Sequence, residues 1–295
     1  MKWRCPVFRK NIPTFNKNLV FALNLHFFKY HGAGNDFIIL DNRSRAYDAI
    51  KDPHTIAALC HRRFGIGADG LMMIQLPTEF KSGTGIEDEA ALDFDMVYFN
   101  ADGGLGSMCG NGGRCIVSLA HRLGMIQDHT TFNASDGIHE AKVIQADYIE
   151  LKMKPVHTIE LYSDHAVLDT GSPHFVQLVD GIFSFPVYNK GREIRYSSDY
   201  PQGINVNFVE PAVEHLDIRT YERGVEDETW ACGTGATAAA LAYVEMSKKY
   251  SAQIINLEAK GGPLKVKFIR IEPGHFENIW LCGGATYIYE GDFLI

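Results

Sequence analysis

Hydrophobic and polar positions along this chain follow two periods that switch at glycine-rich turns. Alternating apolar runs predict strands over residues 27–30 and 37–40, separated by a glycine turn at His31-Gly32-Ala33-Gly34. Asp52-Pro53 reads as an N-cap followed by proline at the first helical position, and Ile56, Leu59, Cys60 and Arg63 continue at helical spacing. Cys60 lies on that apolar face and reads as a small core residue. The tight turn Gly65-Ile66-Gly67-Ala68-Asp69-Gly70 feeds a strand over 71–76, and residues 77–92 read as an exposed polar loop. A further strand is predicted at 94–99. Ile116, Leu119, Ala120 and Leu123 fall at i, i+3, i+4 and i+7, a helix ended by Gly124. Runs at 130–134, 140–145 and 147–153 predict an antiparallel meander.

The second half repeats this plan. Gly171-Ser172-Pro173-His174-Phe175 precedes a strand at 176–179, much as the first glycine turn precedes 37–40. Strands are predicted at 204–209 and 217–221, and then Ala236, Ala239, Ala240 and Tyr243 form a helical face whose alanines suit close packing. Four strands follow at 253–258, 264–270, 277–281 and 285–289. The expectation is an α/β (α+β) fold of two pseudo-symmetric domains, each a curved, mostly antiparallel sheet around one principal helix. The expected divisions are an extension at 1–25, one domain at 26–153 and a second at 154–283. A hinge is expected near 153–156, and a last strand near 284–295 packs back on the first domain.

Both principal helices open on the same motif: Met108-Cys109-Gly110-Asn111-Gly112-Gly113 and Ala231-Cys232-Gly233-Thr234-Gly235-Ala236. A thiol there faces the positive end of a helix dipole, where unpaired backbone N–H groups can hold a carboxylate. Two such thiols suit proton removal from, and return to, the α-carbon of an amino acid, one acting as thiolate and the other as thiol. The helix N-terminus is expected to lower the thiol pKa. The amides of Gly110, Asn111, Gly233 and Thr234 are candidates to clamp the substrate carboxylate as negative charge grows. His174 and Glu222 are candidate proton partners, one for each cysteine. Cys115 lies within its helix without a glycine frame and reads as a core or supporting residue. Asp36, Asp69 and Asp102 flank glycines and read as turn caps.

Composition narrows the classes. The 295 residues are 46% hydrophobic and 22% charged, enough for two globular domains. A net charge of −8 without a long basic run argues against nucleic acid or an anionic membrane as partner, and no apolar stretch is long enough to span a bilayer. The six cysteines lack metal-site or redox spacing and read as free thiols in a reducing compartment, hence a cytoplasmic location. The first 25 residues are basic and then apolar, but Asn24 interrupts the short apolar run and no cleavage site follows, so they read as a loose extension. No HExxH, EF-hand, dinucleotide or P-loop pattern is present, so neither metal nor nucleotide cofactor is expected.

These segments together resemble the diaminopimelate epimerases, over residues 27–289. The resemblance rests on His31-Gly32-x-Gly34-Asn35-Asp36-Phe37, Gly65-Ile66-Gly67-Ala68-Asp69-Gly70, Asn100-Ala101-Asp102-Gly103 and Cys109-Gly110-Asn111-Gly112-x-Arg114-Cys115. Pro173-His174, Tyr221-Glu222-Arg223-Gly224 and Cys232-Gly233-Thr234-Gly235 complete it. It implies a diaminopimelate epimerase-like fold, a homodimer, no cofactor, and a role in lysine and peptidoglycan precursor synthesis. Cys109 and Cys232 would be the two bases, supported by His174 and Glu222. Asn35 would lie at the substrate, and Asn100, Asn205, Glu222 and Arg223 would hold its remote amino-acid centre.

Two features depart from the family pattern. Ser172 stands where the family often has asparagine before Pro-His, and the segment 224–230 is one residue longer than the common form. Ser172 is nevertheless expected to line the substrate site. The alternatives are a proline or hydroxyproline racemase, which would not need Arg223 and the asparagines for a second charged end, and a binding protein with a collapsed site.

Overall fold

A computed structural model describes residues 23–77, 92–106 and 108–295; the segment 1–22 and nearly all of the expected loop at 77–92 lie outside the described residues. The first half opens with a hairpin of β1 (Asn24–Gly32) and β2 (Asn35–Asp41). Its two turn residues, Ala33 (φ 49°) and Gly34 (φ 82°), are both left-handed, which matches the twist of a two-residue hairpin. Helix α1 (Pro53–Cys60) begins where expected, with the Asp52 carboxylate accepting the Thr55 N–H at 3.1 Å. Then come β3 (Gly70–Gln75), β4 (Phe94–Asn100), α2 (Gly110–Arg122), β5 (His129–Ala134), β6 (Gly137–Gln145) and β7 (Tyr148–Lys152). The second half contains β8 (Ile159–Leu161), β9 (His165–Asp169), β10 (Pro173–Leu178), α3 (Val187–Arg195), β11 (Asn205–Pro211), β12 (Leu216–Glu222) and β13 (Asp227–Thr229). It ends with α4 (Gly233–Met246), β14 (Ile254–Ala259), β15 (Gly262–Glu272), β16 (His275–Gly284) and β17 (Thr286–Leu294).

Strand pairing repeats between the halves. β1 is antiparallel to β2, β2 parallel to β3, β3 antiparallel to β4, β4 parallel to β5, and β5, β6 and β7 form a meander. The series β9, β10, β11, β12, β14, β15 and β16 follows the same alternation. Minor helices α1 and α3 occupy one crossover, and α2 and α4 the other. The outer strands are exchanged: β17 runs antiparallel to β1, and β8, which follows the first half, pairs with β9. β7 and β16 pair antiparallel and join the two halves into one sheet.

The sheets close around α2 and α4. Residues 110–120 of α2 are all buried, with Ile116 and Leu119 in a core that includes Phe28, Phe37, Phe94 and Phe132. Burying each such large side chain stabilises by about 2 kcal/mol. Helix α4 is apolar on nearly every side; Ala236, Ala238, Ala239, Ala240 and Ala242 are buried because strands wrap it and only small side chains fit.

Some expectations are corrected. A second helix in the other half, α3, and the strands β8, β9 and β13 add to the predicted elements. β1 starts inside the expected extension, and Leu23 is bonded through both its N–H and its carbonyl to Ile295. The segment expected as a hinge bonds to a neighbouring strand. Met153 N–H donates to Ile279, and Val156 exchanges backbone bonds with Phe276, so this crossover is stitched to β16.

Candidate active site

Cys109 and Cys232 each occupy the extended residue directly before a central helix, with φ/ψ of −106°/127° and −111°/117°. The carbonyl of each accepts the first helical bond, from Gly113 at 2.7 Å and from Ala236 at 2.8 Å. The two helix starts meet. A β-carbon on Gly233 would lie 3.3 Å from Gly110 Cα and 2.8 Å from Leu281 Cδ2. Glycine at both positions therefore lets one half present its sulfur beside the other.

The sulfurs have different neighbours. Cys109 Sγ donates to Asn35 Oδ1 at 3.6 Å, and Asn35 Nδ2 donates to Asp69 at 2.7 Å, which turns the amide oxygen toward the thiol. Asp69 is thus more than a turn cap. It also pairs with Arg62, which clamps Asp36 together with Lys29. Against the effect of burial, those two cations hold Asp36 down at about 2.

Cys232 Sγ lies 3.4 Å from Thr234 Oγ1, itself 3.5 Å from Ser172 Oγ; Ser172 Oγ lies 3.0 Å from His174 Nε2. His174 therefore connects with Cys232 through two hydroxyls. It is fully buried, and burial together with the Arg223 charge lowers its pKa to about 3, leaving a neutral imidazole.

Burial outweighs the helix effect on both thiols. It pushes Cys109 and Cys232 above the usual thiol range, and the Glu222 charge pushes in the same direction. N–H groups at the helix starts, from Gly112 and Asn111 beside Cys109 and from Gly235 beside Cys232, oppose this without cancelling it. The lowered thiol expected from the sequence is thus corrected to a raised one. Glu222 is half-buried and is itself raised by burial.

Asn205 and Arg223, two expected substrate contacts, also bond within the protein. Asn205 donates to Ser172 Oγ at 3.1 Å and to the Pro173 carbonyl at 3.2 Å, and accepts the Arg223 N–H at 2.9 Å. The Arg223 guanidinium reaches the carbonyls of Gln202 and Gly203, both at 3.4 Å. Asn100 is exposed at the end of β4, in register with Gly70. The Asn111 side chain turns away from Cys109 and donates to the Ala231 carbonyl at 2.9 Å, bridging α2 to the residue before Cys232. The segment at 224–230 forms a hairpin through β13, and Trp230 packs on the turn at Gly34, where a β-carbon would lie 3.2 Å from Trp230 Cβ.

Two residues without an assigned role in the sequence reading stand close to the cysteines. Arg114 is 0% exposed, and its guanidinium donates to Asn111 Oδ1 at 2.9 Å, the Gly110 carbonyl at 3.1 Å and the Gly284 carbonyl at 3.4 Å. In the sequence it falls on the opposite side of the helix from Ile116, Leu119, Ala120 and Leu123, so the pattern gives no signal that it is buried. Asn207, also fully buried, lies against His174, and a polar residue in the apolar run of β11 was its signal.

Fold and site define a class of two-half proteins, in which each half is a sheet wrapped around a helix that starts at a cysteine. Two solved structures share the fold. A Bacillus anthracis phenazine biosynthesis protein of the PhzF family superposes with a TM-score of 0.71 at 14% identity, over 92% of this chain and 100% of that one. A hydroxyproline epimerase from Agrobacterium vitis superposes with a TM-score of 0.62 at 11% identity, over 92% and 93%. The sequence model of diaminopimelate epimerase matches residues 27–159 and 166–276. Relatives named diaminopimelate epimerase are 45% identical in Flavobacterium psychrophilum, over 89% of this chain and 98% of that one, and 40% identical in Chlorobaculum tepidum, over 88% and 98%. The chain belongs to the diaminopimelate epimerase family.

Proposed function

We propose that this protein interconverts LL- and meso-2,6-diaminopimelate by two-base proton transfer between Cys109 and Cys232, without a cofactor, in lysine and peptidoglycan precursor synthesis. The observation that carries the reading is the abutment of the two cysteine-bearing helix starts at Gly110 and Gly233. One sulfur, as thiolate, takes the α-proton; the carbon's electron pair spreads into the substrate carboxylate; the other thiol delivers a proton to the opposite face. The first sulfur ends as thiol and the second as thiolate, so the reverse reaction exchanges their roles.

Main-chain N–H groups of Gly110, Asn111, Gly233 and Thr234 stabilise the charge developing on the carboxylate. The raised thiols suit this chemistry, because the substrate's α-ammonium brings positive charge that favours a thiolate. His174, through Ser172 and Thr234, and Glu222 serve as proton partners. Arg223, Asn100, Asn205 and Glu222 recognise the remote amino-acid centre, and Asn35 lies at the substrate. The functional unit is a cytoplasmic homodimer with divisions near 26–153 and 154–283.

The test is turnover of LL-diaminopimelate in D2O, with proline and glutamate as alternative substrates. Deuterium should enter the α-position as the meso isomer appears. Cys109→Ser and Cys232→Ser should each lose at least about 100-fold in kcat, while Cys60→Ser and Cys115→Ser keep it. More than about a tenth of normal kcat in either active-site variant would refute the two-thiol scheme.

A further inference from the structure

His174 and Asn207 form a buried polar pair that the fold does not require. The register of β2 with β3 matches that of β10 with β11: Phe37 faces Gly70 as His174 faces Asn205, and Ile39 faces Met72 as Val176 faces Asn207. In the first half the equivalents of His174 and Asn207 are therefore Phe37 and Met72. They fill the space behind the first turn of α2, where a β-carbon on Gly112 would meet Met72 Sδ at 3.1 Å and Phe37 at 3.5 Å. Behind α4, a β-carbon on Gly235 would instead collide with Asn207 Oδ1. An apolar pair satisfies the architecture at one site. Its replacement by two buried polar side chains at the other costs desolvation and calls for a compensating role.

The hydrogen bonds around Asn207 fix its orientation. Its Nδ2 lies 2.9 Å from the Phe175 carbonyl, which can only accept, and its Oδ1 lies 3.0 Å from Thr220 Oγ1. Nδ2 also lies 3.1 Å from His174 Nδ1, so that ring nitrogen faces an N–H and must present a lone pair. The one proton of the neutral ring then sits on Nε2, 3.0 Å from Ser172 Oγ.

We propose that Asn207, anchored by Thr220, is a positioning residue that holds His174 in the Nε2–H tautomer and aims its N–H toward Ser172, Thr234 and Cys232. The proposal rests on Cys232 acting as an acid/base group. It makes the two thiols unequal: Cys109 is backed by an apolar pair and Cys232 by an oriented imidazole. Ser172 suits this arrangement because a hydroxyl can accept from Nε2–H while donating onward.

The tautomer is read directly by nitrogen NMR of protein labelled at histidine, with the His174 signals assigned by their loss in His174→Gln. The wild type should show an unprotonated Nδ1 and a protonated Nε2. Asn207→Asp, close in shape but with only acceptors, should protonate Nδ1 and reduce kcat at least about tenfold with little change in KM. Thr220→Val, which keeps the amide and removes its anchor, should give mixed tautomers and an intermediate kcat. A wild-type ring protonated at Nδ1, or an Asn207→Asp protein with Nδ1 protonated and kcat unchanged, would overturn the proposal. Because the spectrum requires no turnover, failure of the epimerase assignment with the expected tautomer present would be recognised separately.

Discussion

Gly110 and Gly233, the first residues of the two central helices, lie directly against each other beneath Leu281. A side chain at either position would wedge between the halves and move one sulfur relative to the other. Gly233→Val is expected to lower unfolding stability by about 2 kcal/mol through overpacking. Its effect on kcat should be larger than that loss suggests, because misplacing a reacting group by about 1 Å can cost roughly 100-fold. Chemical denaturation and kcat measured on the same preparation test this; unchanged kcat would show that the abutment does not set the spacing of the sulfurs.

Glu222 raises both thiols through its charge. Glu222→Gln removes that charge and should increase thiolate content at Cys109 and Cys232 alike. Iodoacetamide labelling at about pH 8, followed site by site by peptide mass spectrometry, should therefore be faster in the variant. In the wild type both sites should react more slowly than a free cysteine, because burial dominates. Slower labelling of the variant would reverse the assigned sign.

His174 couples stability to pH. Its folded pKa is about 3 against an ordinary value of 6.5. Between these values the unfolded chain binds a proton that the folded chain excludes, so stability rises with pH across the window. The contribution is complete above the unfolded value and is lost progressively as pH falls below it. Unfolding free energies at about pH 5 and about pH 7.5 should differ more for the wild type than for His174→Gln. Equal differences would show that His174 accepts a proton without cost.

Glu245, near the end of α4, is almost fully buried and receives Arg270 Nε at 2.7 Å and the Gly274 N–H at 3.2 Å. The pair fastens α4 to the β15–β16 hairpin. Glu245→Ala leaves Arg270 without its carboxylate partner and should cost about 3 kcal/mol. The double change Glu245→Leu with Arg270→Met should recover part of this. Denaturation curves of the three proteins decide the matter, and a single variant as stable as the wild type would remove the pair from the stabilising contacts.

The amino-acid sequence determined the features whose causes are local. The Asp52-Pro53 helix start, the Gly34 turn, the apolar stripe of α2 and the glycines after each cysteine are written within a few neighbouring residues, and the fold realises them. Helix α3 was missed because only Val187 and Gly191 are buried in it, too few to mark a stripe. β13 is three residues long and exists only by pairing with β12. Both cysteines were legible, but the direction of their pKa shift was not: the helix start is local and lowers a thiol, while burial depends on the whole fold and raises it further. The roles of Asn207 and Arg114 belong to tertiary structure alone. Asn207 meets His174 through the register of two strands nearly thirty residues apart in the chain, and Arg114 supports Asn111 in reaching the other half. Sequence spacing specifies helices and turns because their bonds close over a few residues; the partner of a buried polar group is settled only when distant elements pack.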